Sequence, residues 1–187
     1  MKKGKQNCLM IQMPPATSTI EEGKKYLRAN WDQNNGVDCP CCGQLVKLYN
    51  RKLYSKMALQ LIALYRLDRK HPNQYFHITD IGVQTSVIGG GDFAKLKYWG
   101  LIVELEKDDA DDTKRTSGHW AITQKGRDFV VGKITVPSHV KVFDGRTFGF
   151  GEKHITIHHA LGKKFNYAEL MGDAMHRHDA PENGRLL

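Results

Sequence analysis

Three of the chain's four cysteines lie within four residues, in Cys39-Pro40-Cys41-Cys42-Gly43, and the fourth is Cys8. A disulfide framework needs cysteines spread along the chain, so this crowding points to metal binding or free thiols in a reducing compartment. Cys39 and Cys42 have Cys-x-x-Cys spacing, and Pro40 and Gly43 permit the tight turn that aims backbone N–H groups at two thiolates. Such a pair suits Zn2+, which takes four Cys or His ligands when its role is structural. Cys39 and Cys42 are therefore the metal-ligand pair expected here. Further ligands are sought among Cys41, Cys8, His71, His77, His154, His158 and His159, none at diagnostic spacing. A turn of the same shape without metal and a redox pair are the alternatives. The redox reading is weakest, because the pair does not open a helix after a strand.

Other reactive patterns are missing from the sequence. Gly89-Gly90-Gly91 is not followed by Gly-Lys-Ser/Thr and reads as a turn, not a nucleotide loop. Asp108, Asp109, Asp111 and Asp112 lack calcium-loop spacing and read as a solvated loop tip. His154, His158 and His159 read as a solvated strand end. No His-Glu-x-x-His, deaminase or nucleophile–base pattern occurs, so no enzymatic activity is expected and zinc would be structural.

The formal net charge is +8, which makes nucleic acid a natural partner class. Residues 51–100 carry eight Lys/Arg against three Asp, whereas residues 101–132 carry five against seven acids. No apolar run approaches the roughly 18–20 residues of a membrane span. The short N-terminal apolar patch has no cleavage pattern after it, so the expected location is the cytoplasm with no membrane partner.

The elements that must position these residues follow from periodicity and caps. Ser18 or Thr19 with Glu21 and Glu22 predicts a helix to about Trp31, with Ile20, Leu27 and Trp31 on one face. Leu45–Tyr49 is strand-like. Ser55 to about Lys70 is the strongest helix, with Met57, Leu61, Leu64 and Tyr65 as an apolar stripe and His71-Pro72-Asn73 as its stop. A short strand at 75–78 precedes a helix from Asp80 to Thr85 capped by Thr79. Asp92 opens a third helix, Phe93 to Trp99, which Gly100 ends. Strands at 101–106 and about 119–123 flank a polar loop, and Thr123 opens a helix from Gln124 to about Val131. In the tail, Val136–Phe143 and Arg146–Phe150 flank Asp144-Gly145, a hairpin signal. Ile155–Ile157 is a third strand candidate, and short helices are expected near 158–161 and 167–171.

The order from Ser55 onward matches the winged helix, a helix-turn-helix variant with a β-hairpin wing. Leu96-Lys97-Tyr98-Trp99-Gly100-Leu101-Ile102 and Trp120-Ala121-Ile122-Thr123-Gln124-Lys125-Gly126-Arg127-Asp128-Phe129 resemble winged-helix regulators of the MarR or PadR kind. The first looks like the end of a recognition helix with the first wing strand, and the second like the other wing strand with the following "I-T-x-K-G" helix start. Cys39–Gly43 resembles a zinc knuckle, and the combination with the tail resembles phage and prophage proteins.

The fold class expected is therefore α+β: a winged helix-turn-helix with an N-terminal zinc-knuckle-like segment and a small C-terminal β-hairpin and helix extension. Its parts are a flexible arm (1–17), a helix and Cys knuckle (18–50), the winged helix (51–132), the extension (133–172) and a flexible tail (173–187).

The resemblance implies a DNA-binding protein acting in transcription regulation or as an accessory factor in DNA transactions, in a bacterial host's cytoplasm if phage-encoded. The recognition helix would enter the major groove of double-stranded DNA. Lys95, Lys97 and Tyr98 would face it, and Phe93, Leu96 and Trp99 the core. Thr85 and Ser86 would sit against a phosphate, Lys114 and Arg115 would extend from the wing, and Lys52, Lys56, Arg66, Arg69 and Lys70 would form basic flanks. The acidic wing loop and the lack of Arg, Asn and Gln on the short recognition helix favour the alternative, a protein–protein interaction module acting as adaptor or inhibitor. Regulators of this kind are often homodimers, although no long coiled-coil-like helix is present.

Overall fold

The computed structural model describes residues 12–15, 17–32, 35–85, 91–106 and 117–172. Thr19 opens helix α1 (Ile20–Asn30) through the expected capping box: its hydroxyl accepts from the Glu22 N–H while the Glu22 carboxylate accepts from the Thr19 N–H at 2.7 Å. Of the apolar face expected of this helix, Leu27 and Trp31 are half-buried and Ile20 is not. Ile20 is 71% exposed, and Gly23 and Asn30 are the buried positions. Gly23 faces the cysteine turn; a Cβ there would touch Pro40 at 3.6 Å and the Cys41 sulfur at 3.7 Å. Strands β1 (Val37–Asp38) and β2 (Leu45–Val46) pair antiparallel, Val37 opposite Val46, and carry that turn between them.

Met1–Asn50 together with Lys141–Phe148 forms one contact unit, and Arg51–Val140 with Gly149–Leu187 forms the other. In the first, Trp31 packs against Phe143 (centroids 5.5 Å apart) and edge-on against Phe148 (4.8 Å). The Leu48 N–H donates to the Trp31 carbonyl, and Lys141 is ion-paired with Asp32. Strands β3 (Tyr49–Lys52), β8 (His139–Phe143) and β9 (Arg146–Phe150) form a sheet in the order β3-β8-β9. The β8–β9 turn is the one expected from Asp144-Gly145: both residues have positive φ, 46° and 68°, the geometry a two-residue hairpin loop requires.

The second unit is built around α2 (Ser55–Lys70). Every residue from Met57 to Tyr65 is buried, Gln60 included, so the stripe expected from periodicity is in fact burial on nearly all sides. The reason is the number of neighbours: α3 (Ile78–Thr85), α4 (Gln124–Val130), α5 (Ile157–Leu161) and α6 (Tyr167–Met171) all pack on it, as does the Phe93–Trp99 helix. Strand β4 (Phe76–His77) lies at one edge of a three-stranded antiparallel sheet, β6 (His119–Ile122) in the middle and β5 (Ile102–Glu104) at the other edge. Phe76 stands opposite Trp120, and Ile102 opposite Ile122. Ile102, Trp120 and Ile122 are buried, and each alternates with a more exposed neighbour, as a half-buried strand must.

Several local expectations are corrected. Thr79 does not cap α3, which already begins at Ile78; its hydroxyl instead meets His77 Nδ1 at 2.7 Å. The Phe93–Trp99 segment is a 3-10 helix, and Asp92 makes no side-chain cap. The strand expected over 136–143 breaks at buried Ser138 into β7 (Val136–Pro137) and β8, because the Ser138 N–H donates to Lys153 O and its carbonyl accepts from the Leu53 N–H. The third tail strand is β10 (His154–Ile155), which pairs with β7, while Thr156 caps α5 and Ile157 is already helical. Tyr167, at the start of α6, donates to the Val130 carbonyl at 2.8 Å. The protein is thus a mixed α+β fold of helices and small antiparallel sheets. No helix of the described residues is long and apolar enough to cross a membrane.

Candidate nucleic-acid interface and cysteine turn

The Phe93–Trp99 helix buries Phe93, Leu96 and Trp99 as expected. Phe93 meets Trp120 edge-on at 5.8 Å, and the Trp99 indole donates to Pro137 O at 2.7 Å. Gly100, at φ 69°, closes the helix in the left-handed conformation. The opposite side of the turn leaves Lys97 exposed and Lys95 and Tyr98 half-buried.

Neither lysine points to solvent without a partner. Lys95 is ion-paired with Asp92, and Lys97 lies 3.6 Å from Glu104 and 5.9 Å from the Trp120 ring centroid. Asp92 also accepts from the Tyr54 hydroxyl. Lys95 first, and then Tyr54, hold the Asp92 carboxyl below its usual range. Burial first, and then Asp92, push Tyr54 up to about 12. This Tyr54–Asp92–Lys95 cluster went unread in the sequence, since nothing signals a partner 38 residues away.

The remaining expected contacts are dispersed. Thr85 is half-buried, its hydroxyl turned back to the α3 carbonyls of Ile81 and Gly82. Ser86, Lys114 and Arg115 lie outside the described residues. Lys56 is exposed in the first turn of α2, a turn with no acidic residue and no side-chain cap. Lys52, also exposed, lines a cavity of about 440 Å3 with Lys153, His139, His154 and His159, and no Asp or Glu shares that lining. Tyr54 lines it as well, which connects this basic wall to Asp92.

The cysteine turn is tight, as expected, and the backbone N–H contacts found in it reach the Cys39 thiol. The Cys39 N–H donates to Gln44 O at 2.8 Å and the Gly43 N–H to Cys39 O at 2.9 Å, with Gly43 at φ 70°. The backbone N–H groups of Cys41 and Cys42, followed by the Cys42 thiol, hold the Cys39 thiol below its ordinary value. All three cysteines are free thiols. The turn fits thiolate ligation at Cys39, but the described residues do not complete a zinc site: no group of three or more His, Cys, Asp or Glu among them stands close enough to hold a metal ion. Cys8 is outside the described residues.

Comparison of the chain with protein-family models, curated proteins and solved structures finds no match.

Proposed function

We propose that residues 51–132 form a winged helix and that the protein binds double-stranded DNA, as a transcription regulator or an accessory factor in DNA transactions of the phage kind. The observation that carries this reading is topological. Helix, strand, helix, helix, strand, strand and helix follow one another, and the sheet order β4-β6-β5 puts the last strand between the other two. With Phe93, Leu96 and Trp99 buried, this order leaves Lys95, Lys97 and Tyr98 on the outward part of the helix that such a domain inserts into the major groove. The lysine–acid pairs do not oppose the reading strongly. Exposed pairs are worth about 0–1 kcal/mol, and a phosphate-dense groove competes well for the ammonium groups. The carboxylate-free wall of Lys52, Lys153 and three histidines supplies further phosphate contacts.

Fluorescence anisotropy of random duplex DNA at low and moderate salt tests the reading, with Lys95→Gln/Lys97→Gln and Lys52→Gln/Lys56→Gln as variants. Binding is expected to weaken steeply with salt through counterion release, and the salt slope to fall by about one for each contacting lysine removed. A folded protein that binds no duplex at low salt sinks it.

A second reading, docking onto another protein, is favoured by outward apolar side chains in the same unit: Val83 at 79% exposure, with Val103 and Leu105 on and beside β5. A partner held on these would bind with little salt sensitivity and be weakened by Val83→Ser, a change that adds no charge and leaves DNA affinity intact if the first reading holds.

A further inference from the structure

A second cavity of the Arg51–Val140 and Gly149–Leu187 unit, about 330 Å3, opens between the last turns of α2 and helix α4. One wall is a closed charge pair. Arg127 donates to both Asp68 carboxylate oxygens at 2.8 Å, and the Asn73 N–H reaches the same carboxylate at 3.3 Å. Asp68 therefore already accepts three hydrogen bonds and has its charge balanced by Arg127. The other acid in the wall, Asp128, accepts from Gln124 Nε2 at 3.0 Å.

The donors behave differently. Tyr65 lines the cavity at 1% exposure, and its buried hydroxyl has no hydrogen-bond partner among the described residues; the same holds for Arg69 Nε, one turn further along α2. A buried donor left unsatisfied costs on the order of 1–3 kcal/mol, so two in one cavity wall call for an acceptor. Lys133 adds a third cation to the lining beside Arg69 and Arg127, against the two carboxylates already engaged. Three cations face two carboxylates in the lining, so an occupant meets one net positive charge besides the two unpartnered donors, with the Tyr65 ring, Pro72 and Val131 as apolar cover. Burial pushes the Tyr65 phenol up, which keeps it a donor at neutral pH.

We propose that this cavity binds a small molecule through an oxyanion group, a carboxylate or a phosphate, held by the Tyr65 hydroxyl and the Arg69 guanidinium. Guanidinium and hydroxyl donors match both oxyanions, and the volume lies at the small end of ligand sites, with room for a body of a few heavy atoms behind the anionic group. Lys133 draws the anion to the mouth, and the Asp68–Arg127 pair holds the wall rigid. The site does not depend on the DNA reading.

Isothermal titration calorimetry of the full chain with sodium phosphate, sodium acetate and sodium chloride at matched ionic strength tests it. One-site saturable binding of phosphate or acetate but not chloride is expected, and whichever binds names the anion class. Arg69→Gln and Tyr65→Phe should each weaken that binding roughly tenfold, the loss of one hydrogen bond to a charged group. Tyr65→Phe keeps the buried ring, and its thermal melting checks that the fold survives. Lys163→Gln, an exposed lysine that lines neither cavity, should leave the affinity unchanged. No saturable binding of either anion, affinity unmoved by both cavity variants, or loss on Lys163→Gln would overturn the assignment.

Discussion

Asp92 stands where an acid ordinarily caps a helix, yet its carboxylate is taken up by Tyr54 and Lys95. The two shifts have opposite pH windows. Tyr54's folded value, about 12, lies above its ordinary 10.0, so its contribution is complete below pH 10 and is lost as pH rises through 12. Asp92's folded value lies below 3.8, so its contribution is present above that pH and is lost as pH falls through the depressed value. Both groups are partly exposed, and solvent screening limits the Tyr54 term to about 1 kcal/mol. Urea denaturation across pH should therefore show Tyr54→Phe flattening the alkaline loss of stability between pH 10 and 12, and Asp92→Asn flattening the acid limb. An alkaline limb identical in Tyr54→Phe and the parent protein would show the hydroxyl contact to be unimportant.

Helix α4 shows how a motif's glycine is explained by its neighbours. Thr123 caps the helix through the Gly126 N–H at 3.0 Å and donates to Gly100 O at 2.7 Å, which joins the end of the Phe93–Trp99 helix to the start of α4. A Cβ on Gly126 would lie 2.2 Å from Leu101 O and 2.7 Å from Ile122 Cγ1. Propensity alone favours alanine in a helix by about 1 kcal/mol. The clash is with backbone, which cannot swing aside as a flexible side chain can, and overpacking of this kind costs about 1–3 kcal/mol. Gly126→Ala is expected to lower stability by about 1 kcal/mol net, read as a fall in thermal midpoint. A rise in the midpoint would mean that α4 is free to shift away from β5 and β6.

At the scale of the whole molecule, the contact units do not follow chain order: Lys141–Phe148 belongs with Met1–Asn50. The aromatic cluster of Trp31, Phe143 and Phe148 is the visible reason within that unit. Phe148 is 45% exposed, so its truncation should cost less than the ~3–5 kcal/mol of a fully buried phenylalanine. Phe148→Ala should speed hydrogen exchange at the Leu48 amide, which bonds to Trp31 O, and leave the α2 amides from Ala58 to Tyr65 protected. Equal loss at both places would show that the cluster supports more than its own unit.

The sequence by itself determined the local structure that local chemistry controls. The Thr19–Glu22 capping box, the Asp144-Gly145 turn, the Gly100 helix end, the Thr123 cap and the tight cysteine turn all depend on residues within about five positions of one another, where a side chain's hydrogen bond or a glycine's freedom decides the outcome. Burial of Phe93, Leu96 and Trp99 agrees with what the winged-helix resemblance implied for that helix. Tertiary structure alone decided that α2 is enclosed on nearly every side, that Ile20 is exposed, and that Lys95 and Lys97 face acids. It also brought Arg127 to Asp68, 59 residues away, and left Tyr65 and Arg69 as buried donors beside them. Long-range pairing of this kind has no local signature, since it depends on which faces of distant elements meet and on what each charge finds there once water has been excluded.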